Sequence, residues 1–199
     1  VAPPFCAIFL NYTSISVYRY VTEQRQRRFV EKVFAHYLSS DVIAQLIEDP
    51  DKVKLGGEEV SITPFFSDVA GFSTISEKLT PTELVDLLNE YLSVMTDILL
   101  KYQGTLDKFE GDAIIAFFGA PLHYADHAVK ACYCSLEMQS RLAELRDRWR
   151  KEGRPMMKMR IGLNTGKAVV GNMGSQERFN YTMMGDTVNL AARLEGANK

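Results

Sequence analysis

Residues 105–119 read Thr-Leu-Asp-Lys-Phe-Glu-Gly-Asp-Ala-Ile-Ile-Ala-Phe-Phe-Gly, a stretch with little local choice of structure. The apolar run 113–118 is too short for an ordinary helix and is rich in isoleucine and phenylalanine, which suits a buried strand. It follows Glu110-Gly111-Asp112, where Gly111 supplies the backbone freedom of a tight turn. A β-hairpin folded at 110–112 is the expected element. Its oddity is charge, because Lys108 and Asp112 flank the turn inside core-like sequence. Taken alone, the pair reads as the exposed tip of a hairpin.

A second stretch, Phe65-Phe66-Ser67-Asp68-Val69-Ala70-Gly71-Phe72-Ser73, is another apolar strand that ends in a carboxylate and opens into a helix start. Two strands thus each deliver one aspartate. Magnesium takes oxygen ligands and usually binds through one or two carboxylates plus substrate phosphates. Asp68 and Asp112 on neighbouring strand ends are therefore candidate metal ligands. The backbone amides that follow, at Gly71 and Phe72, would face phosphate oxygens.

Four motifs now stand in order: Phe66-x-Asp68-x-x-Gly71-Phe72, Lys108-Phe109-x-Gly111-Asp112, Arg160-Ile161-Gly162-Leu163-x-Thr165-Gly166, and Gly185-Asp186-Thr187-Val188-Asn189-Leu190-Ala191-Ala192-Arg193. From about residue 60 to the C-terminus the chain resembles the class III nucleotide cyclase catalytic domain. The resemblance implies an α+β fold with a ferredoxin-like βαββαβ core. The same order, strand, helix, strand, strand, helix, strand, is read from the hydrophobic pattern.

The resemblance also implies an activity: an adenylyl cyclase that converts ATP to 3′,5′-cyclic AMP and pyrophosphate in intracellular signalling. It implies Mg²⁺ or Mn²⁺, two per site, held at Asp68, Val69 and Asp112. It implies that Asn189 and Arg193, i and i+4 on one helix, orient the ribose and stabilise the transition state. A guanidinium suits the second task because its donors fork towards phosphate oxygens. Lys167 falls where the family often places a triphosphate contact, although a solvated turn lysine explains it equally. Lys108 and Thr182 fall at the base-reading positions. Adenine presents an acceptor at N1 beside a donor at N6, which a lysine and a threonine oxygen complement; guanine presents the reverse. In the family, one domain supplies the aspartates and a second supplies the base and transition-state residues. One chain carrying both sets implies a head-to-tail, two-fold homodimer.

Composition narrows the partners. At 199 residues and 46% hydrophobic, the chain buries one substantial core plus an accessory segment. A net charge of −2 gives no long-range pull on nucleic acid, so no nucleic-acid partner is expected. Three cysteines, an odd number without a Cys-x-x-Cys pair, fit buried thiols in a reducing compartment. His123 and His127 have metal-face spacing but no accompanying carboxylate pattern, and are read as residues of a helix start.

Residues 1–18 carry no charge, and Arg19, Arg25, Arg27, Arg28 and Lys32 follow. That pattern reads as the end of a transmembrane helix over 1–20 with its basic flank in the cytoplasm, at the cell membrane. Residues 21–58 read as a helical transducer segment and linker, with an apolar stripe at Phe29-Val30, Val33-Phe34 and Tyr37-Leu38 that a partner helix would cover. Residues 59–199 are the catalytic domain. The family continues through further strands, so the domain is expected to lack its C-terminal part here and the chain to be an excerpt of a longer protein.

Within the domain, Pro64 removes a ladder donor from the first strand, expected over 60–67. Either a bulge accommodates it or the strand begins at Phe65. Thr80-Pro81-Thr82-Glu83 is a capping box that opens a core helix. Residues 126–149 form a second helix, with Val129, Cys132, Leu136, Leu142 and Leu145 as its apolar face. Strands are expected at 157–163 and 168–171, a mobile loop at 171–180 and a helix at 187–195. The competing readings are a guanylyl cyclase using GTP and a catalytically weak, dimerising signalling module. A diguanylate cyclase is disfavoured by the lack of a Gly-Gly-Asp-Glu-Phe turn.

Overall fold

The computed structural model describes residues 11–15, 18, 56–175 and 179–198. Most of the expected membrane segment and nearly all of the transducer segment lie outside the described residues; 11–15 and Tyr18 are helical. Among the described residues, no helix is long and apolar enough to cross a membrane.

One strand organises the domain. β1 (Gly56–Val69) is 14 residues long and changes neighbours midway. Its first half pairs with β5 (Gly166–Gly174), from Gly56↔Asn172 to Ile62↔Gly166. Its second half lies between β3 (Ala113–Phe118) and β4 (Met159–Leu163). β2 (Thr105–Glu110) adds outside β3, and β6 (Phe179–Met184) outside β5, giving a six-stranded sheet. All five pairings are antiparallel. The order β4-β1-β3-β2 is the expected ferredoxin-like arrangement, with the β5–β6 hairpin as an arm.

The central strands are buried on both faces, as their near-continuous apolar sequence requires. In β3, Ile114, Ala116 and Phe118 point to one core with α2 (Pro81–Lys101) and α3 (His127–Lys151), while Ile115 and Phe117 point to another. The second core takes Val188 from α4 (Asp186–Ala197). A short helix, α1 (Phe72–Ser76), leads from β1 towards α2. The predicted capping box opens α2: Thr80 Oγ1 accepts from Glu83 N–H at 3.4 Å, and Glu83 Oε2 accepts from Thr80 N–H at 2.9 Å.

Several expectations change. Neither a bulge nor a late start accommodates Pro64, since β1 runs through it in register from Thr63↔Phe118 to Ser67↔Ile114. The Pro64 carbonyl accepts from Asn164 N–H at 3.5 Å. The nitrogen of the same residue faces the same edge, so the missing donor points to the β4–β5 turn, where β1 exchanges one partner for another. The loop expected over 171–180 is instead the end of a hairpin: β5 extends to Gly174 and β6 starts at Phe179.

The apolar face of α3 is also rotated. Val129 and Leu136 are 53% and 67% exposed and Cys132 is exposed, whereas Ala131, Cys134, Met138, Leu142, Leu145 and Trp149 are buried. The buried set keeps unbroken three- and four-residue spacing through small and soft residues. Leu142 and Leu145 belong to this stripe as expected, whereas Val129, Cys132 and Leu136 lie beside it.

Candidate active site

The two predicted aspartates meet. A tight β2–β3 turn with Gly111 at φ 65° carries Asp112 back over the end of β1, where its Oδ2 accepts the Val69 N–H at 2.9 Å. Burial, and then the neighbouring Asp68 carboxylate, push the Asp112 carboxyl up to about 6; the Val69 N–H works in the opposite direction. Two like charges held this close by backbone geometry are an electrostatic cost that a divalent cation would relieve. The donor set of two carboxylates and the adjoining backbone therefore fits a magnesium or manganese site.

Arg160, which opens the third motif, is the guanidinium at this site. It is paired with Asp68 across the β1–β4 register and places Nε 3.0 Å from Glu195 Oε1 on α4. Neither Arg160 Nε nor Glu195 Oε1 has an aligned hydrogen bond, so that contact is charge proximity alone. The predicted transition-state residues lie elsewhere. Asn189 is exposed on α4, and Arg193 is 69% exposed with its guanidinium 3.9 Å from Asp186. Glycine explains why that helix sits where it does. A Cβ on Gly162 would stand 2.2 Å from Glu195 N and 2.3 Å from Ala191 O, so β4 and the 191/195 side of α4 touch backbone to backbone.

The predicted base-reading pair forms a third cluster. β2 slips register between Leu106 and Lys108, leaving Asp107 as an extra residue opposite β3, and bulges of this kind re-aim side chains. The Thr182 hydroxyl, on β6, donates to Asp107 Oδ2 at 2.5 Å, and Lys108 Nζ is 3.9 Å from Asp107 Oδ1. Lys108 and Thr182, 74 positions apart in the sequence, are thus joined through a buried carboxylate. Strict alternation along β2 would turn Asp107 away from Lys108, and only the register slip brings the two together.

The remaining predicted residues are less engaged. Lys167 is exposed and ion-paired with Glu59 at 2.8 Å on the first half of β1, opposite Ser61 and far along the strand from Asp68. Gly71, in left-handed conformation, precedes α1, and Phe72 packs against the helix-side core. His127 is a buried tie: its Nδ1 shares a 2.8 Å hydrogen bond with Thr63 Oγ1, which shares another with Thr165. Among the described residues, no group of three or more histidine, cysteine, aspartate or glutamate side chains is placed to hold a metal.

A partly curled antiparallel sheet that ends on two facing aspartates, with a lysine–threonine pair and an Asn-x-x-x-Arg helix on other faces, is the build of a nucleotide cyclase catalytic domain. The family described as "Adenylate and Guanylate cyclase catalytic domain" matches residues 56–199, and the chain belongs to it. Adenylate cyclase 1 of Rhizobium meliloti (strain 1021) is 39% identical over 166 residues, covering 83% of this chain and 25% of that protein. The chain spans about a quarter to a third of the length of the curated relatives it matches. Among solved structures, the adenylyl cyclase CyaB from P. aeruginosa is 44% identical with a TM-score of 0.69, covering 72% of this chain and 74% of that one. The guanylyl cyclase Cya2 is 42% identical with a TM-score of 0.68, covering 72% and 73%.

Proposed function

We propose that the chain is the catalytic domain of an adenylyl cyclase, forming 3′,5′-cyclic AMP and pyrophosphate from ATP at the interface of a homodimer. The observation that carries the choice of ATP is the convergence of Lys108 and Thr182 on Asp107. An ammonium donor matches adenine N1 and a hydroxyl oxygen matches the N6 amine; guanine would set donor against donor at N1. The similarity to Adenylate cyclase 1 and CyaB agrees, while Cya2 keeps the guanylyl alternative in view.

In the reaction the ribose 3′-oxygen bonds to the α-phosphorus as the α–β bridging bond breaks, and charge grows on the phosphoryl oxygens and the leaving pyrophosphate. Mg²⁺ or Mn²⁺ at Asp68, Val69 and Asp112 would supply charge neutralisation and acidify the attacking hydroxyl. Lys108 and Thr182 hold the base in register. Asn189 orients the ribose, and the Arg193 fork accepts the developing phosphoryl charge. Lys167, freed from Glu59, and the Gly71 and Phe72 amides would meet the phosphates. Asp68 pairs with Arg160 beside β4, whereas Arg193 is exposed beside Asp186 on α4, an arrangement that suits a site shared between the two chains of a two-fold dimer.

Cyclic nucleotide formation from ATP and from GTP, with Mg²⁺ and with Mn²⁺, tests this against an Asp112→Ala blank. Metal-dependent cyclic AMP from ATP supports it; cyclic GMP as the main product overturns the base choice, and silence from the full-length protein favours a signalling module. The uncharged residues 1–18 and the basic cluster after them support an anchor in the cell membrane with the catalytic domain in the cytoplasm. Release of the full-length protein from membranes by alkaline carbonate would remove that anchor.

A further inference from the structure

Asp107 has no part in the reaction as set out above, yet it is only 7% exposed and sits between both base-reading residues. Its Oδ1 is buried without an aligned hydrogen bond. Carboxylates so placed are costly and are kept when something uses them. Burial raises its pKa, and the Thr182 hydroxyl and Lys108 pull it back. The 2.5 Å separation from Thr182 Oγ1 is that of a hydroxyl donating to an ionised carboxylate.

We propose that Asp107 is a positioning residue for substrate choice: by accepting the Thr182 hydroxyl hydrogen bond, it leaves Thr182 only lone pairs to show the purine 6-position. The proposal rests on the reading of Lys108 and Thr182 as base contacts. A hydroxyl has one proton to donate and two lone pairs. Once the proton is committed to Asp107, the oxygen accepts from the adenine N6 amine and repels guanine O6. Without Asp107 the hydroxyl rotates and donates to O6 equally well, and the pair stops discriminating at that position. The bulge at Asp107 serves this arrangement, because it brings a β2 carboxylate to the same side as the neighbouring lysine.

The test compares kcat/KM for ATP, GTP and purine riboside triphosphate, which lacks the 6-amino group, in the full-length protein with Mg²⁺. Asp107→Asn keeps the shape of the side chain, but its amide can donate or accept. It is expected to narrow the ATP-to-GTP ratio about tenfold, and to narrow the ATP-to-purine ratio with it. In a Thr182→Val background the same substitution should change neither ratio further. An unchanged ratio in folded Asp107→Asn, equal losses on all substrates, or an effect that persists without the Thr182 hydroxyl would overturn the proposal.

If Asp107→Asn does not fold, Thr182→Asn asks the same question from the other side. Asp107 should capture its amide N–H groups and turn its oxygen to the base, preserving the ATP preference that Thr182→Val loses; loss in both overturns the proposal. A wild-type protein without ATP preference would defeat the base-contact reading itself, which is distinguishable from an ATP-selective wild type whose Asp107→Asn variant stays selective.

Discussion

Asp112 Oδ2 accepts the Val69 N–H at 2.9 Å, so the tip of the β2–β3 hairpin is latched to the end of β1 beside Asp68. The latch holds two carboxylates together before any cation arrives. Asp112 titrates near 6 in the folded chain, above its ordinary value of 3.8. A carboxyl raised in the fold is disfavoured there in its charged form. The cost is therefore fully present above about pH 6 and is relieved as pH falls through 6 towards 3.8. Asp112→Asn should raise the metal-free thermal midpoint at pH 7 by an amount worth on the order of 1 kcal/mol after solvent screening, with the gap from wild type narrowing to roughly half at pH 5. The same variant should make no cyclic nucleotide. Thermal melts in chelator at the two pH values check this; equal midpoints at pH 7 would refute it.

The exposed position of Arg193, off the 191/195 side of α4 that packs on β4, predicts complementation if the site is shared between two chains. Asp68→Ala and Arg193→Ala chains, each inactive alone, should regain a substantial fraction of wild-type activity when mixed, because one of the two sites in a mixed dimer is intact. No recovery at concentrations where the proteins dimerise would argue for sites built within one chain.

Gly162 allows α4 to lie on β4 without a side chain between them. Gly162→Ala should cost about 1–3 kcal/mol through overpacking and shift Asn189 and Arg193, lowering kcat more than stability alone explains. Chemical denaturation and steady-state kinetics on one preparation separate the two effects. A variant that melts and turns over like wild type would show that the helix can be displaced freely.

The rotated face of α3 makes a paired prediction. Met138→Ala should cost about 2–5 kcal/mol, since the side chain is fully buried in the helix-side core. Leu136→Ala, at 67% exposure, should stay within about 0.5 kcal/mol of wild type. Urea denaturation midpoints distinguish this from the face first read in the sequence, which orders the two variants the other way.

The β2–β3 hairpin, the capping box at Thr80 and the strand ending in Asp68 were legible from residues because their causes are local. A turn glycine, a cap three residues from its acid and a short apolar run each determine structure within a few residues. The motifs likewise identified the family and the two aspartates that the fold brings together. What lies beyond that reach depended on contacts between distant residues. The passage of β1 through Pro64 rests on a change of neighbour at the β4–β5 turn, 100 positions later in the chain. The face of α3 was decided by what the sheet could bury, which periodicity alone left between two adjacent stripes. Asp107 became visible only when a register slip in β2 and the arrival of β6 put Thr182 against it. The sequence determined the kind of site this chain builds; the tertiary structure decided which charges face each other within it, because electrostatic coupling depends on separation in space and not along the chain.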